Sequence, residues 1–250
     1  MPYINSAVSR LFSIAERNTK LKNISKVDER LKTAAGFVRQ GSRLLDIGTD
    51  HAHLPVYLVK SGICPCAAAA DVVAGPLAAA QRTVASAGLE DKISLYLSDG
   101  FDGVPENCAD DIVIAGMGGE LIADILSRCL WIKNRKIRLI LQPMTHPECV
   151  RGFLYENGFA IFSEAACISE KRVYCVIAAE YDGKKRVFDE ADCYIGKLPE
   201  SADNTDAAAL YLKKQYERIC KRLNALKNSG RDEAEYAFLK KITEKMEKYL

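Results

Sequence analysis

Apolar and polar positions along this chain change period several times, and the changes mark out its elements. Within residues 28–38, Leu31, Ala34, Ala35 and Val38 recur at i, i+3, i+4 and i+7, which predicts an amphipathic helix closed by Gly41. Short apolar runs of strand length then alternate with helical stretches. The strands fall at 43–47, 67–72, 93–97, 111–115 and 137–141, and the helices at 52–59, 77–87, 120–131 and 147–157. Pro76 and Gly88 bracket one of these helices, at positions suited to a first turn and a stop. Strand–helix alternation means βαβ units and a parallel sheet covered on both faces.

The beat then breaks. Residues 159–168 and 173–181 are two extended runs with only Ser169–Arg172 between them, too little chain for a crossover helix. A β-hairpin follows, so one strand of the pair runs antiparallel to the rest. After a linker at 182–205, containing Gly183, Gly196 and Pro199, the period changes again. Leu212, Tyr216, Ile219, Leu223 and Leu226 step by 4 and 3, as do Leu239, Ile242, Met246 and Tyr249, with Asn228-Ser229-Gly230 as a stop between them. These seams predict a C-terminal α-helical coiled-coil hairpin. The organisation is therefore an N-terminal extension at 1–26, polar and weakly patterned, an α/β domain at 27–182, and the linker with its coiled coil at 183–250. A parallel sheet with an antiparallel closing strand predicts the Rossmann-like fold of class I S-adenosylmethionine methyltransferases. A dinucleotide dehydrogenase would continue with a parallel sixth strand.

Composition narrows the class without naming it. With 250 residues, 48% hydrophobic and 27% charged, the chain reads as a globular protein. A net charge of +2 does not mark a nucleic-acid binder, so any such reading depends on where the charge sits. No run approaches the ~20 apolar residues of a membrane span, and the N-terminus lacks a signal-peptide pattern, which predicts a cytoplasmic protein without a membrane partner. The nine cysteines are scattered; Cys64-Pro65-Cys66 is too closely spaced for a zinc pair, so reduced thiols and no metal are expected.

The chemistry concentrates at the ends of the predicted strands. Asp46-Ile47-Gly48-Thr49-Asp50-His51 follows the first strand, where open α/β sheets bind ligands beyond their strand ends. Gly48 lets backbone approach a ligand, and Asp46 suits the ammonium of a methionine moiety. Asp50 reads equally as a helix N-cap. Asp71, followed by Val72, ends the second strand at close to the ~20-residue separation of a ribose-binding carboxylate. Asp99 and Gly100 follow the third strand, placed for an adenine amine. A dehydrogenase wants three glycines for its pyrophosphate, whereas Gly48 stands alone, and S-adenosylmethionine has no pyrophosphate. The fourth strand ends in Ala115-Gly116-Met117-Gly118-Gly119, read as the loop flooring the acceptor pocket. It lacks the Asn/Asp-Pro-Pro-aromatic run of adenine amino-methyltransferases and the Pro-Cys of cytosine C5 enzymes. Gln142 and Pro143 end the fifth strand at the pocket rim. Arg151 fits either a phosphate contact or a structural ion pair.

Residues 45–55, Leu-Asp-Ile-Gly-Thr-Asp-His-Ala-His-Leu-Pro, together with 114–119, Ile-Ala-Gly-Met-Gly-Gly, Leu-Ile-Leu-Gln-Pro at 139–143, and Arg151 with Asn-Gly-Phe at 157–159, resemble the bacterial tRNA (adenine-22-N1)-methyltransferase family. The chain departs from that family's pattern at His53, where tyrosine is usual, and at Ala74, where an acidic residue is common. The resemblance implies methylation of adenine N1 in tRNA, with His53, Gly118, Gly119, Gln142 and Pro143 facing substrate. N1 carries a lone pair and needs no base, so positioning dominates; because the product is cationic, Asp50 is expected to stabilise charge and His51 to position the adenine. N1 lies on the Watson–Crick edge, so the target must be unpaired. Lys213, Lys214, Arg218, Lys221 and Arg222, with Lys227, face only Glu217 along the first appendage helix and form the expected tRNA footprint. A small-molecule methyltransferase, or a non-catalytic module acting through the coiled coil, are the competing readings.

Overall fold

The computed structural model describes residues 27–200, 206–229 and 232–250; the N-terminal extension at 1–26 lies outside the described residues. Seven strands form one sheet in the order β3-β2-β1-β4-β5-β7-β6. They are β1 (Leu44–Ile47), β2 (Ala67–Asp71), β3 (Ile93–Leu97), β4 (Asp111–Gly118), β5 (Arg138–Thr145), β6 (Phe159–Ser169) and β7 (Arg172–Tyr181). The first five are parallel, and β7 runs antiparallel to both β5 and β6. The hairpin therefore closes the sheet as the sequence pattern predicts. Its two turn residues, Glu170 and Lys171, both have positive φ, at 47° and 65°.

Alternation along the strands sends neighbouring side chains to opposite faces. Leu45, Ile47, Ile112, Ile114, Leu139 and Leu141 enter one apolar core with α4 (Gly119–Ser127) and α5 (Pro147–Glu156). Leu44, Val113, Ile140 and Val176 enter the other, beneath α1 (Glu29–Phe37), α2 (His53–Lys60) and α3 (Ala74–Ala87). Both faces are covered, which is why β1, β4 and β5 read as unbroken apolar runs. Asp28 caps α1, its carboxylate accepting the Leu31 N–H at 3.0 Å, and Gly88 ends α3 at φ 66°.

Where the sequence suggests only a linker, α6 (Glu190–Ile195) forms on a capping box at Asp189 and Asp192, followed by a 3₁₀ turn at Leu198–Glu200. A buried ion pair ties this segment to the sheet. Arg151 donates to Glu164 through Nε and Nη2, each at 2.8 Å, and through Nη1 to the Cys193 carbonyl at 2.7 Å. Both side chains are fully buried, so Arg151 has the structural role and not the phosphate contact. Gly196, at φ 67°, leaves no room for a Cβ, which would overlap Glu164 Oε2.

Two helices finish the chain, α7 (Asp206–Ser229) and α8 (Glu233–Met246). Leu212, Ile219 and Leu226 bury against Leu239, Ile242 and Met246, flanked by Tyr216 and Leu223, whereas Tyr249, the last position of the expected second seam, lies exposed in a 3₁₀ turn beyond the helix. Tyr216 Oη donates to Glu247 Oε1 at 2.9 Å, and Arg222 pairs with Glu235 near the other end, as antiparallel neighbours must. The start of α7 does something further: Ala208 and Tyr211 join the sheet's own core.

Candidate functional site

The site begins where β1 ends. Asp46 is buried in the sheet between Ala69 of β2 and Val113 of β4. No cation among the described residues pairs with it. Burial pushes its carboxyl up to about 6, the Thr49 hydroxyl pulls partly back, and the Asp71 charge adds to the rise. The chain then turns at Gly48, φ 74°, whose N–H donates to the Ala70 carbonyl at 2.8 Å. A Cβ there would overlap Met117 Cε, so the glycine opens the space between the first and fourth strand ends.

Beyond Gly48 the backbone remains unusual. His51 and Ala52 are both left-handed, at φ 60° and 54°, and Ala52, not Asp50, occupies the cap position of α2. The N-cap alternative for Asp50 is therefore excluded. Two consecutive non-glycine residues in this region store strain of order 1–3 kcal/mol each, a cost associated with sites. Asp50 and His51 lie exposed with Oδ1 and Nε2 3.2 Å apart, and the His51 and His53 rings stack at 5.5 Å.

The next two strand ends supply the remaining carboxylates. Asp71, half-buried, accepts the Val73 N–H at 2.7 Å, and Val72, Val73 and Leu97 leave an exposed apolar patch beside it. Ser98 braces the turn after β3, accepting from Gly103 N–H at 2.8 Å and donating to the Gly100 carbonyl at 3.0 Å. Gly100 has φ 56°, and a Cβ would press on Ile125. Asp99 is not a free carboxylate: Arg128 bonds it at 3.1 Å and also reaches Asp102 and Asp124.

The segment after Ile114 corrects the sequence reading. Ala115 to Gly118 is not a loop; β4 continues through it, with its pairing to β5 shifting register at Ala115/Met117 and again at Met117/Gly118. Gly116, φ 82°, donates its N–H to Gln142 Oε1 at 3.1 Å. Gln142 is fully buried, so it holds this strand end and does not itself face a substrate. Pro143 is buried beside it. Gly119 is a packing glycine as well, since a Cβ would overlap the His146 carbonyl.

Arg30 is the residue that sequence reasoning missed. It sits off the apolar stripe of α1, and nothing local marks it. In the fold its Nη1 reaches Gln142 Oε1 and Met144 Sδ, each at 3.3 Å, while Asp28 holds the other side of the guanidinium and Tyr174 lies under it at 5.4 Å. The expected basic face also changes. Besides Lys214 with Glu217, Arg218 pairs with Glu148 and Arg222 with Glu235. Lys213, Lys221 and Lys227 remain exposed and unpaired among the described residues.

A buried, unpaired carboxylate, a half-buried one a strand away, and an apolar patch between further strand ends suit a ligand with an amine at one end and a sugar-linked ring at the other. This is the cofactor-site arrangement of a methyltransferase, and residues 27–177 match the family described as Methyltransferase domain. The chain is similar to the Bacillus subtilis protein named tRNA (adenine(22)-N(1))-methyltransferase, at 35% identity over 77% of this chain and 81% of that one. Accordingly it belongs to the tRNA (adenine(22)-N(1))-methyltransferase family. The crystal structure of the B. subtilis M1A22 tRNA methyltransferase TrmK superposes with a TM-score of 0.74 at 30% identity, covering 89% of this chain and 96% of that chain. A Streptococcus pneumoniae structure in complex with S-adenosyl-L-methionine gives 0.74 at 31% identity, over 87% and 99%.

Proposed function

We propose that this chain methylates N1 of an adenine in tRNA, the nucleoside at position 22 in the family, using S-adenosylmethionine. The observation that carries the cofactor assignment is Asp46, a carboxylate buried without a cation partner at the end of β1. Its ionised form would hold the ammonium of the methionine moiety. Asp71 would take the ribose hydroxyls, Val72 with Val73 and Leu97 the flat adenine ring, and Asp99 the ring's amine, exchanging part of its bond to Arg128. Gly48, Ala115, Gly116 and Met117 frame the space between. The B. subtilis relative's name, and the S-adenosyl-L-methionine bound to the S. pneumoniae structure, support this reading.

S-adenosylmethionine supplies an electrophilic methyl on sulfur: the N1 lone pair forms the new C–N bond, the C–S pair leaves with sulfur, and the positive charge passes to the base. No proton has to be removed, so the protein's task is alignment and charge. Asp50 and His51 stand exposed on a strained turn beside Gly48; in this reading Asp50 would supply an anion to the developing cation and His51 a ring against the base. His53, stacked on His51, extends that surface. Lys213, Lys221 and Lys227 offer the phosphate contacts, with Lys214, Arg218 and Arg222 already engaged. A tRNA-modifying activity belongs in the cytoplasm, and no helix among the described residues is long and apolar enough to cross a membrane.

The test is incubation with methyl-labelled cofactor and unmodified tRNA, followed by nucleoside mapping. 1-Methyladenosine is the expected product. Label on another nucleoside, or none, overturns the assignment.

A further inference from the structure

A groove of about 280 Å³ lies between the turn after β5 and the inner side of α7. Pro143, Thr145, Tyr174, Tyr211, Gln215 and Arg218 are among its walls. We propose that this groove seats one unstacked nucleoside of the RNA, a neighbour of the adenine that is methylated. The inference rests on the reading of the chain as a tRNA methyltransferase.

Position supports it first. Pro143 and Thr145 are the register partners of Met117 and Gly118, so the groove begins one strand away from the acceptor edge of the sheet. Adjacent strands lie about 4.8 Å apart, within reach of a single nucleotide step. The groove also joins the sheet to the appendage, because Val173 and Tyr174 come from β7 while Tyr211, Gln215 and Arg218 come from α7.

Size and chemistry agree. Its volume falls just below the roughly 300–1,000 Å³ of ordinary ligand pockets, on the scale of a single base and too little for two nucleosides. The half-buried Tyr174 ring gives a flat apolar wall on which any base can stack, with Pro143 and Tyr211 forming the buried floor. The Thr145 hydroxyl and Gln215 amide offer donors and acceptors to a base edge. Arg30 lies over the Tyr174 ring, placing a cation on the sheet side. Arg218 is bonded by both oxygens of Glu148, at 3.0 and 2.9 Å, so its charge is largely balanced. The groove therefore binds through stacking and hydrogen bonds more than through phosphate.

That distinction sets the experiment. In the full chain, Gln215→Trp fills the groove, and Tyr174→Ala removes a stacking wall. Each is expected to raise the KM for tRNA about tenfold, given the usual worth of one base–aromatic stack. For Gln215→Trp, which touches neither Arg30 nor Gln142, kcat, S-adenosylmethionine affinity and the salt slope of tRNA binding should stay at wild-type values. With p-benzoylphenylalanine in place of Gln215, irradiation should crosslink one nucleotide next to the methylated adenine. A folded Gln215→Trp protein with unchanged KM overturns the proposal. So does a crosslink to residues 1–26 of the chain itself, which would make that segment the occupant. If the wild-type protein forms no 1-methyladenosine, it is the underlying functional reading that fails instead.

Discussion

Asp71 ends the strand beside Asp46, and its charge adds to burial in pushing the Asp46 carboxyl up to about 6. A raised carboxyl means that the folded, ligand-free protein holds its proton more tightly than the unfolded chain, whose ordinary value is 3.8. The penalty for ionised Asp46, on the order of 3 kcal/mol, is fully present above about pH 6 and is relieved as pH falls toward that ordinary value. Asp46→Asn should therefore raise the melting temperature at neutral pH while abolishing cofactor binding. Titration calorimetry on the wild type should show S-adenosylmethionine affinity falling about tenfold per pH unit below about pH 6. An affinity flat across that window would contradict the assignment.

Gln142 anchors the shifted end of β4 by accepting from both Gly116 N–H and Arg30. Gln142→Leu leaves those donors without their acceptor and should cost about 1–3 kcal/mol in stability. Because Gly116 borders the acceptor space, kcat should also fall tenfold or more. Cofactor affinity, which the proposal assigns to Asp46 and Asp71, should be retained, and the separation of kcat from cofactor Kd is the measurement that decides.

The Arg151–Glu164 pair is fully buried, so removing one partner exposes the other's charge to an apolar interior. Arg151→Met should destabilise by about 3–5 kcal/mol, and adding Glu164→Leu should recover much of the loss. Gly196→Ala, which forces a side chain against both partners at a positive φ, should be comparably damaging. Denaturant unfolding of the three variants tests this; an additive double mutant would argue against it.

The hairpin at Glu170 and Lys171 uses two non-glycine residues where both φ values are positive, the geometry of a type I′ turn. Replacing them with Asn and Gly should stabilise the protein by about 1 kcal/mol with no effect on methylation. Thermal melts and a turnover assay suffice to check both halves.

Lys213, Lys221 and Lys227 are the cations of α7 that form no salt bridge among the described residues. Changing all three to Gln should reduce the slope of log affinity for tRNA against log salt by about 2 to 3. Arg222→Gln, which removes a cation already matched by Glu235, should change it far less. Equal effects from both would disprove the revised footprint.

Much of the fold was legible because burial on two faces leaves a coarse signature. Leu44 to Ile47, Ile112 to Ile114 and Leu139 to Leu141 are apolar whichever face they meet, and the hairpin betrayed itself by the short spacing at Ser169–Arg172. The rule that ligands gather at strand ends points to Asp46, Asp71 and Asp99, and the structure does put them at the ends of β1, β2 and β3. Illegible features depend on contacts between distant parts of the chain. Arg30 acquires meaning only when α1 lies across Gln142, 112 residues further on, and Arg218 loses its free charge only when Glu148 of α5 comes beneath it. The extension of β4 to Gly118 was hidden because glycines read as loop, whereas pairing with β5 keeps them extended. The short α6 was hidden for a similar reason: its six residues are too few for a helical period to show.

Ala208 and Tyr211 belong to the sheet's core, while Leu212, only one residue on, belongs to the helical hairpin. A single uninterrupted 24-residue helix thus has one foot in each body. It is a rigid rod roughly 36 Å long at 1.5 Å per residue, and would act as a caliper on any RNA bound along it. An RNA gripped at its far end would arrive at the strand ends at a set distance and angle. The chain would then choose among adenines by measuring, and a helix shortened or lengthened by one turn should move the methylated nucleoside without touching a single group that handles the methyl.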